Sequence, residues 1–267
     1  QIQQFYELYS DPNDPDGGLS FESFDINAAI SRSTLNRGTF PTDGSQQSLS
    51  YKMTTPNSDV NYFKINLDTK WYFPLTRDQR WTVLAKFQLG YGNGYGSVEG
   101  NDQILPFWEN FRAGGSGTLR GFESNIVGPR AIYRRSTTIP GTPDAVGSAG
   151  GCCLGPDHDF IQTSRRSVGG NAIAIAGVEL IVPTPFLDEG FSNSVRSSIF
   201  VDAGNVWDTE FSLSDYKDLN GVEFDKIADY SDVGRYRASA GLSVQWLSPM
   251  GPMIFSFAKT LKEEEGD

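Results

Sequence analysis

No stretch of the chain approaches the roughly 18 uninterrupted apolar residues that a membrane-spanning helix needs, although hydrophobic residues make up 38% of it. A helical membrane protein is excluded. An outer-membrane barrel is not, because alternating strands need only half their residues apolar. Basic residues are in the minority, 22 Lys and Arg against 33 Asp and Glu for a net charge of −11, and they are scattered. There is no basic stripe for a phosphate backbone, and no nucleic-acid partner is expected.

Histidine is nearly absent. Catalysis by a Ser-His-Asp or Cys-His arrangement would have to use His158, which stands in the polar run Pro156-Asp157-His158-Asp159. The paired carboxylates there keep a loop solvated rather than perform acid–base work. The only cysteines, Cys152 and Cys153, are adjacent and lack Cys-x-x-Cys spacing, so no metal site is expected. Adjacent cysteines close only a strained small ring or pair each elsewhere, and such disulfide chemistry suits an oxidising compartment. A glycine run at 114–117 is followed by neither Lys-Ser/Thr nor a helical pattern, so it is no phosphate loop. Neither enzyme activity nor a cofactor is expected. The N-terminus, Gln1-Ile2-Gln3-Gln4-Phe5, has no basic or apolar region of a signal peptide. The expectation is that a leader has been removed or that the chain is a piece of a longer protein.

What the sequence has in abundance is period-two alternation. Phe24, Ile26, Ala28 and Ile30 share one face; Leu49, Tyr51 and Met53 form the next row, then Phe63, Ile65, Leu67, Trp71 and Phe73. Trp81, Val83, Ala85, Phe87, Leu89 and Tyr91 follow. Beyond a long insertion come Ala172, Ala174, Ala176, Val178, Leu180 and Val182, which puts Glu179 on the opposite face. Val195, Ile199, Val201 and Ala203 then alternate with Arg196, Ser198, Phe200 and Asp202. Tyr236, Ala238, Ala240, Leu242, Val244 and Trp246 oppose Arg237, Ser239, Gly241, Ser243 and Gln245, and a last run covers about 252–261. Eight strands emerge, and nothing helical.

Their connections alternate in length. Short turns at 36–44, 74–80, 183–193 and 248–251 contrast with long loops at about 92–170 and 205–235. Phe40, Trp71, Phe73, Trp81, Phe186 and Trp246 gather beside the short turns. Two architectures accommodate this pattern. In a soluble β-sandwich the tryptophans would fill the core. In a transmembrane β-barrel they form an aromatic girdle, and Lys64, Asp68, Lys70, Lys86, Glu179, Arg196, Asp202 and Arg237 line a wet lumen. Strand length and the charged faces favour the barrel: all-β, antiparallel, with long extracellular loops.

Within the insertion lies Gly114-Gly115-Ser116-Gly117-Thr118-Leu119-Arg120-Gly121-Phe122. Glycine lets the backbone turn tightly and take positive φ, so Arg120 can be delivered into a confined place. A buried arginine needs a carboxylate, and Asp202 and Glu179 are the best candidates. Otherwise the segment is a surface loop and Arg120 is solvated.

Leu119-Arg120-Gly121-Phe122, with Asn125 and Gly128-Pro129-Arg130, resembles the Arg-Gly-Phe loop of the BamA family of outer-membrane β-barrel assembly factors. Further matching motifs run through the chain in order: Arg37 to Gly44, Pro106-Phe107-Trp108-Glu109-Asn110-Phe111, Gly169-Gly170-Asn171, Pro183-Thr184-Pro185-Phe186, Asn193-Ser194-Val195-Arg196, Asp202 to Thr209, and Gln245-Trp246-Leu247-Ser248-Pro249. The resemblance implies a sixteen-stranded barrel preceded by periplasmic POTRA domains. Residues 1–267 would supply roughly strands eight to fifteen, with neither gate-forming end strand. It also implies insertion of unfolded outer-membrane proteins without ATP, in contact with outer-membrane lipid. Lipoprotein subunits would bind mainly through the POTRA domains. Leu119, Arg120, Gly121 and Phe122 would reach into the lumen, where Glu179, Phe200 and Asp202 contact the arginine. Related transporters, of the TamA or two-partner-secretion type, share such a loop, and a passive porin-like channel with a constricting loop is the alternative from another class.

Overall fold

Alternation of the kind described above produces strands with one apolar and one polar face, and such strands must pair into a sheet whose two sides meet different surroundings. The computed structural model describes residues 21–98, 100–135, 138–140, 151–153, 160–184, 194–216 and 227–264. Its main feature is an eight-stranded antiparallel sheet built from β1 (Asp25–Ser33), β2 (Gly44–Thr54), β3 (Tyr62–Pro74), β4 (Thr82–Gly94), β11 (Ala172–Val182), β12 (Val195–Trp207), β13 (Arg237–Ser248) and β14 (Gly251–Lys262). These strands neighbour one another in chain order. All are antiparallel, as a meander with no crossover requires. At the two ends of the order, β1 and β14 each pair on one side only among the described residues.

The outward face is apolar and open. Leu49, Tyr51, Ile65, Phe87, Leu89, Val178, Ile199, Val201, Leu242 and Phe257 are all exposed on it. An exposed apolar band this broad is what a bilayer covers. Phe73, Trp81 and Trp246 stand exposed near the short turns, and Trp71 packs edge-on against Phe87 at 5.7 Å. Phe40 departs from the expected girdle. Its backbone takes φ of 50°, and its ring turns inward to lie 5.9 Å from the Arg196 guanidinium. Phe186 lies outside the described residues.

The inward face is wet only in part: of the charged residues expected to line it, Lys70 is exposed and Lys64, Asp68 and Lys86 are partly exposed. Glu179, Arg196, Asp202 and Arg237 are all buried. Ile173 and Ile175 of β11 and Val206 of β12 join Phe111, Ala113, Leu119, Phe122, Ile126 and Val127 in one apolar cluster. Alternation tells which side a residue faces, not what covers it. Around Glu179 and Asp202 the cover is the insertion, which packs onto the inward face of the sheet, whereas Arg196 lies against Phe40 and Tyr72.

That insertion has structure of its own, three two-stranded pieces: β5 (Ser97–Val98) with β6 (Asn101–Asp102), β7 (Arg130–Arg135) with β10 (Phe160–Ser167), and β8 (Thr138–Pro140) with β9 (Gly151–Cys153). Cys152 and Cys153 pair through their backbones with Ile139 and Thr138. A 3₁₀ turn at Leu213–Tyr216 is the one helical element among the described residues.

Candidate functional site

Two adjacent inward rows of the sheet form the floor of the site. One runs Lys86, Gly177, Asp202, Ser239 across β4, β11, β12 and β13; the next runs Leu84, Glu179, Phe200, Gly241. Each row contains one glycine, and each is needed. A Cβ on Gly177 would stand 2.6 Å from Asp202 Oδ1 and 3.0 Å from Lys86 Cε; one on Gly241 would stand 2.9 Å from the Phe200 ring. The missing side chains leave room for a carboxylate and a phenyl ring to lie against the wall.

Onto this floor the loop lowers Arg120. Its Nε and Nη2 donate to Asp202 Oδ2 and Oδ1 at 2.6 and 2.9 Å, and its Nη1 donates to Glu179 Oε2 at 3.0 Å. The guanidinium carbon lies 3.4 Å from the Phe200 ring centroid. All four residues are nearly inaccessible, with Arg120 exposed by 6%, Glu179 by 2%, and Asp202 and Phe200 by 1% each. The fork on Asp202 uses the planarity that arginine has and lysine lacks. Ser198 Oγ donates to the other Glu179 oxygen, and Ser239 Oγ donates to the Arg120 carbonyl. Lys86 Nζ stands 3.7 Å from Asp202 and 3.9 Å from Glu179, so two cations face two anions. Burial alone would lower the Arg120 pKa; the Asp202 hydrogen bond and the charges of Glu179 and Asp202 outweigh it and hold the pKa above its usual value.

The loop reaches this place because its glycines allow it. Gly114, Gly115 and Gly121 have φ of 114°, 88° and 92°, a region that residues with a Cβ seldom adopt. Thr118 Oγ1 closes the turn by accepting from Gly114 N at 2.9 Å and donating to Gly114 O at 3.1 Å. Leu119, fully inaccessible, and Phe122 then anchor the apolar side. Full burial of each is worth about 1.5–3 kcal/mol.

The structure therefore brings Leu119, Arg120, Gly121, Phe122, Glu179, Phe200 and Asp202 together, with Arg120 buried rather than solvated. It also adds partners that the sequence reading did not assign to the site: Ser198, Ser239 and Gly177. Lys86 had been expected only to line the lumen. Asp157, His158 and Asp159 lie outside the described residues, and so do the side chains of Cys152 and Cys153. What the arrangement can do is hold a loop against the inward face of the sheet through a buried, charge-neutral contact.

The model of the Omp85 superfamily domain matches residues 2–267. The chain is 28% identical over 269 residues to the outer membrane protein assembly factor BamA of Neisseria meningitidis serogroup B, an alignment covering 98% of this chain and 29% of that protein. It is also similar to the crystal structure of BamA from Haemophilus ducreyi lacking POTRA domains 1–3, with a TM-score of 0.80 and 33% identity over 99% of this chain and 44% of that one. The chain thus spans less than a third of the first relative and less than half of the second.

Proposed function

Since the chain belongs to the Omp85 superfamily, we propose that it is the C-terminal part of a barrel that folds and inserts other β-barrel proteins into the outer membrane. It is itself an outer-membrane β-barrel protein. In this reading its eight strands are roughly the eighth to fifteenth of a sixteen-stranded barrel, and the loops at about 92–170 and 205–235 face the cell exterior. The substrates are unfolded outer-membrane proteins. Lipoprotein subunits act through POTRA domains on the longer protein, and lipid contacts the apolar outer wall.

The observation that carries the proposal is the seating of Arg120 on Asp202 and Glu179 by a loop packed along the inner wall. A passive channel needs an open aqueous path. An apolar cluster of loop and wall residues instead supports a barrel whose interior is a braced scaffold. Strand pairing and lipid contact can then promote insertion with no nucleotide, and the chain offers no phosphate-binding loop.

Reconstitution of the full-length parent protein in liposomes tests this. Faster folding of a second, urea-denatured barrel protein, without added ATP, is expected. Steady ion conductance with no effect on that folding would instead favour a channel.

A further inference from the structure

Arg120 is not the only point at which the loop is tied to the wall. Lys52 of β2 and Lys64 of β3 are direct cross-strand partners on the inward face. Like charges placed so disfavour a sheet unless an anion stands between them. The anion comes from the loop. Glu109 Oε1 accepts from Lys52 Nζ at 2.7 Å, Glu109 Oε2 accepts from Lys64 Nζ at 3.3 Å, and Lys64 Nζ also donates to the Glu109 carbonyl at 2.6 Å. Tyr62 donates its hydroxyl to Glu109 Oε1 at 3.3 Å, and Asp25 of β1 flanks Lys52 at 3.0 Å.

The neighbouring loop residues are seated as firmly. Phe111 lies under Lys64, whose Nζ is 4.5 Å from the ring centroid. Its ring occupies the place of a side chain that Gly90 lacks, 2.4 Å from where a Cβ would stand. Its backbone forms a bridge with Gly170, with N to O distances of 2.8 and 3.1 Å in the two directions. Glu109 therefore grips β2 and β3, Arg120 grips β11 and β12, and β4 lies between the two grips.

We propose that Glu109 is a positioning residue: with Lys52 and Lys64 it forms a second latch that fixes the near end of the loop, so that Arg120 is presented to Asp202 and Glu179. A loop held at one end only must lose more freedom each time Arg120 docks. Pinned at both points, it is a brace across the inward face of the sheet from β2 to β12. The inference requires the fold alone and not the insertion activity. Its readout, protection of the folded loop, is independent of the liposome assay.

The test is the rate of trypsin cleavage after Arg120 in the full-length parent protein, folded in liposomes. Because the Glu109 side chain and both lysines are 18–27% exposed, the latch is screened by solvent. Glu109→Gln should speed cleavage roughly three- to tenfold, and Glu109→Asp should restore part of the protection. In a Lys52→Met/Lys64→Met background the Glu109→Gln change should add nothing further, because the charge it answers is gone. Should Glu109→Gln fail to fold, the lysine variant alone reads the same latch from the wall side and should also speed cleavage. An unchanged cleavage rate in folded Glu109→Gln, or equal and additive effects in both backgrounds, overturns the proposal.

Discussion

Gly177 stands directly between Lys86 and Asp202 in one row of the sheet, and it is the absence of its side chain that lets the Asp202 carboxylate lie where Arg120 meets it. A methyl group there would fall 2.6 Å from Asp202 Oδ1, inside contact distance, while Asp202 is held by two hydrogen bonds from the guanidinium. Either the carboxylate rotates and loses its fork, or the loop lifts. Gly177→Ala should therefore lower the stability of the seated loop by about 1–3 kcal/mol, the usual range for overpacking. Hydrogen exchange at the loop amides of the full-length protein measures it. Unaltered protection at Leu119 and Phe122 would mean that Asp202 has room to spare.

Much of this was legible beforehand, and the reasons are physical. Strict alternation survives in the eight long strands because one face is apolar and exposed while the other carries the polar and charged groups. Counting positions therefore put Glu179, Phe200 and Asp202 on one side and Val178, Ile199 and Val201 on the other. The four glycines between Gly114 and Gly121 allowed a buried or a solvated Arg120 alike, and it was the resemblance of the Arg-Gly-Phe motif to a known loop that pointed to the wall. Three features could not be read this way. The β5–β6, β7–β10 and β8–β9 pairs are too short or irregular to show a period. Phe40 points inward because of one positive φ in a turn, which no periodicity reports. Glu109 finds Lys52 and Lys64 at separations of 57 and 45 residues. Their being neighbours depends on the register of the β2–β3 turn, which places Lys52 opposite Lys64.

The Glu109 latch should carry a pH signature. Burial alone would raise its pKa, but the hydrogen bond from Lys52 and the charges of Lys64 and Lys52 outweigh this and hold it below the ordinary 4.5. A carboxylate depressed in the folded state contributes stability that is whole above its unfolded pKa and is lost as pH falls through the folded one. Protection of the Phe111 and Gly170 amides, corrected for intrinsic exchange, should stay level between about pH 7 and pH 5 and decline at pH values below about 4.5. The Glu109→Gln protein should show a smaller decline over the same acid window. Equal declines in both would assign the acid sensitivity to other carboxylates.

The strongest demand falls on Arg120 and Asp202. Removing one member of a fully buried ion pair costs about 3–5 kcal/mol, because the charge left behind has neither water nor partner. Here the cost should be below that range for Arg120→Ala, since Lys86 stands 3.7 Å from Asp202 and 3.9 Å from Glu179 and can move closer to both. Asp202→Ala should cost less again, because Arg120 keeps its 3.0 Å bond to Glu179 and the face of Phe200. Arg120→Lys should behave more like the alanine variant than the unsubstituted protein, as an ammonium cannot span both Asp202 oxygens. If the two residues act as a pair, the double variant Arg120→Ala/Asp202→Ala must cost less than the sum of the single ones. The swap Arg120→Asp with Asp202→Arg should recover part of the loss, both in loop protection and in assembly activity of the full-length protein. The recovery is only partial because Glu179 then faces a loop aspartate across the new arginine. Simple additivity of the single substitutions would break the pairing and make Glu179→Gln the next variant to measure.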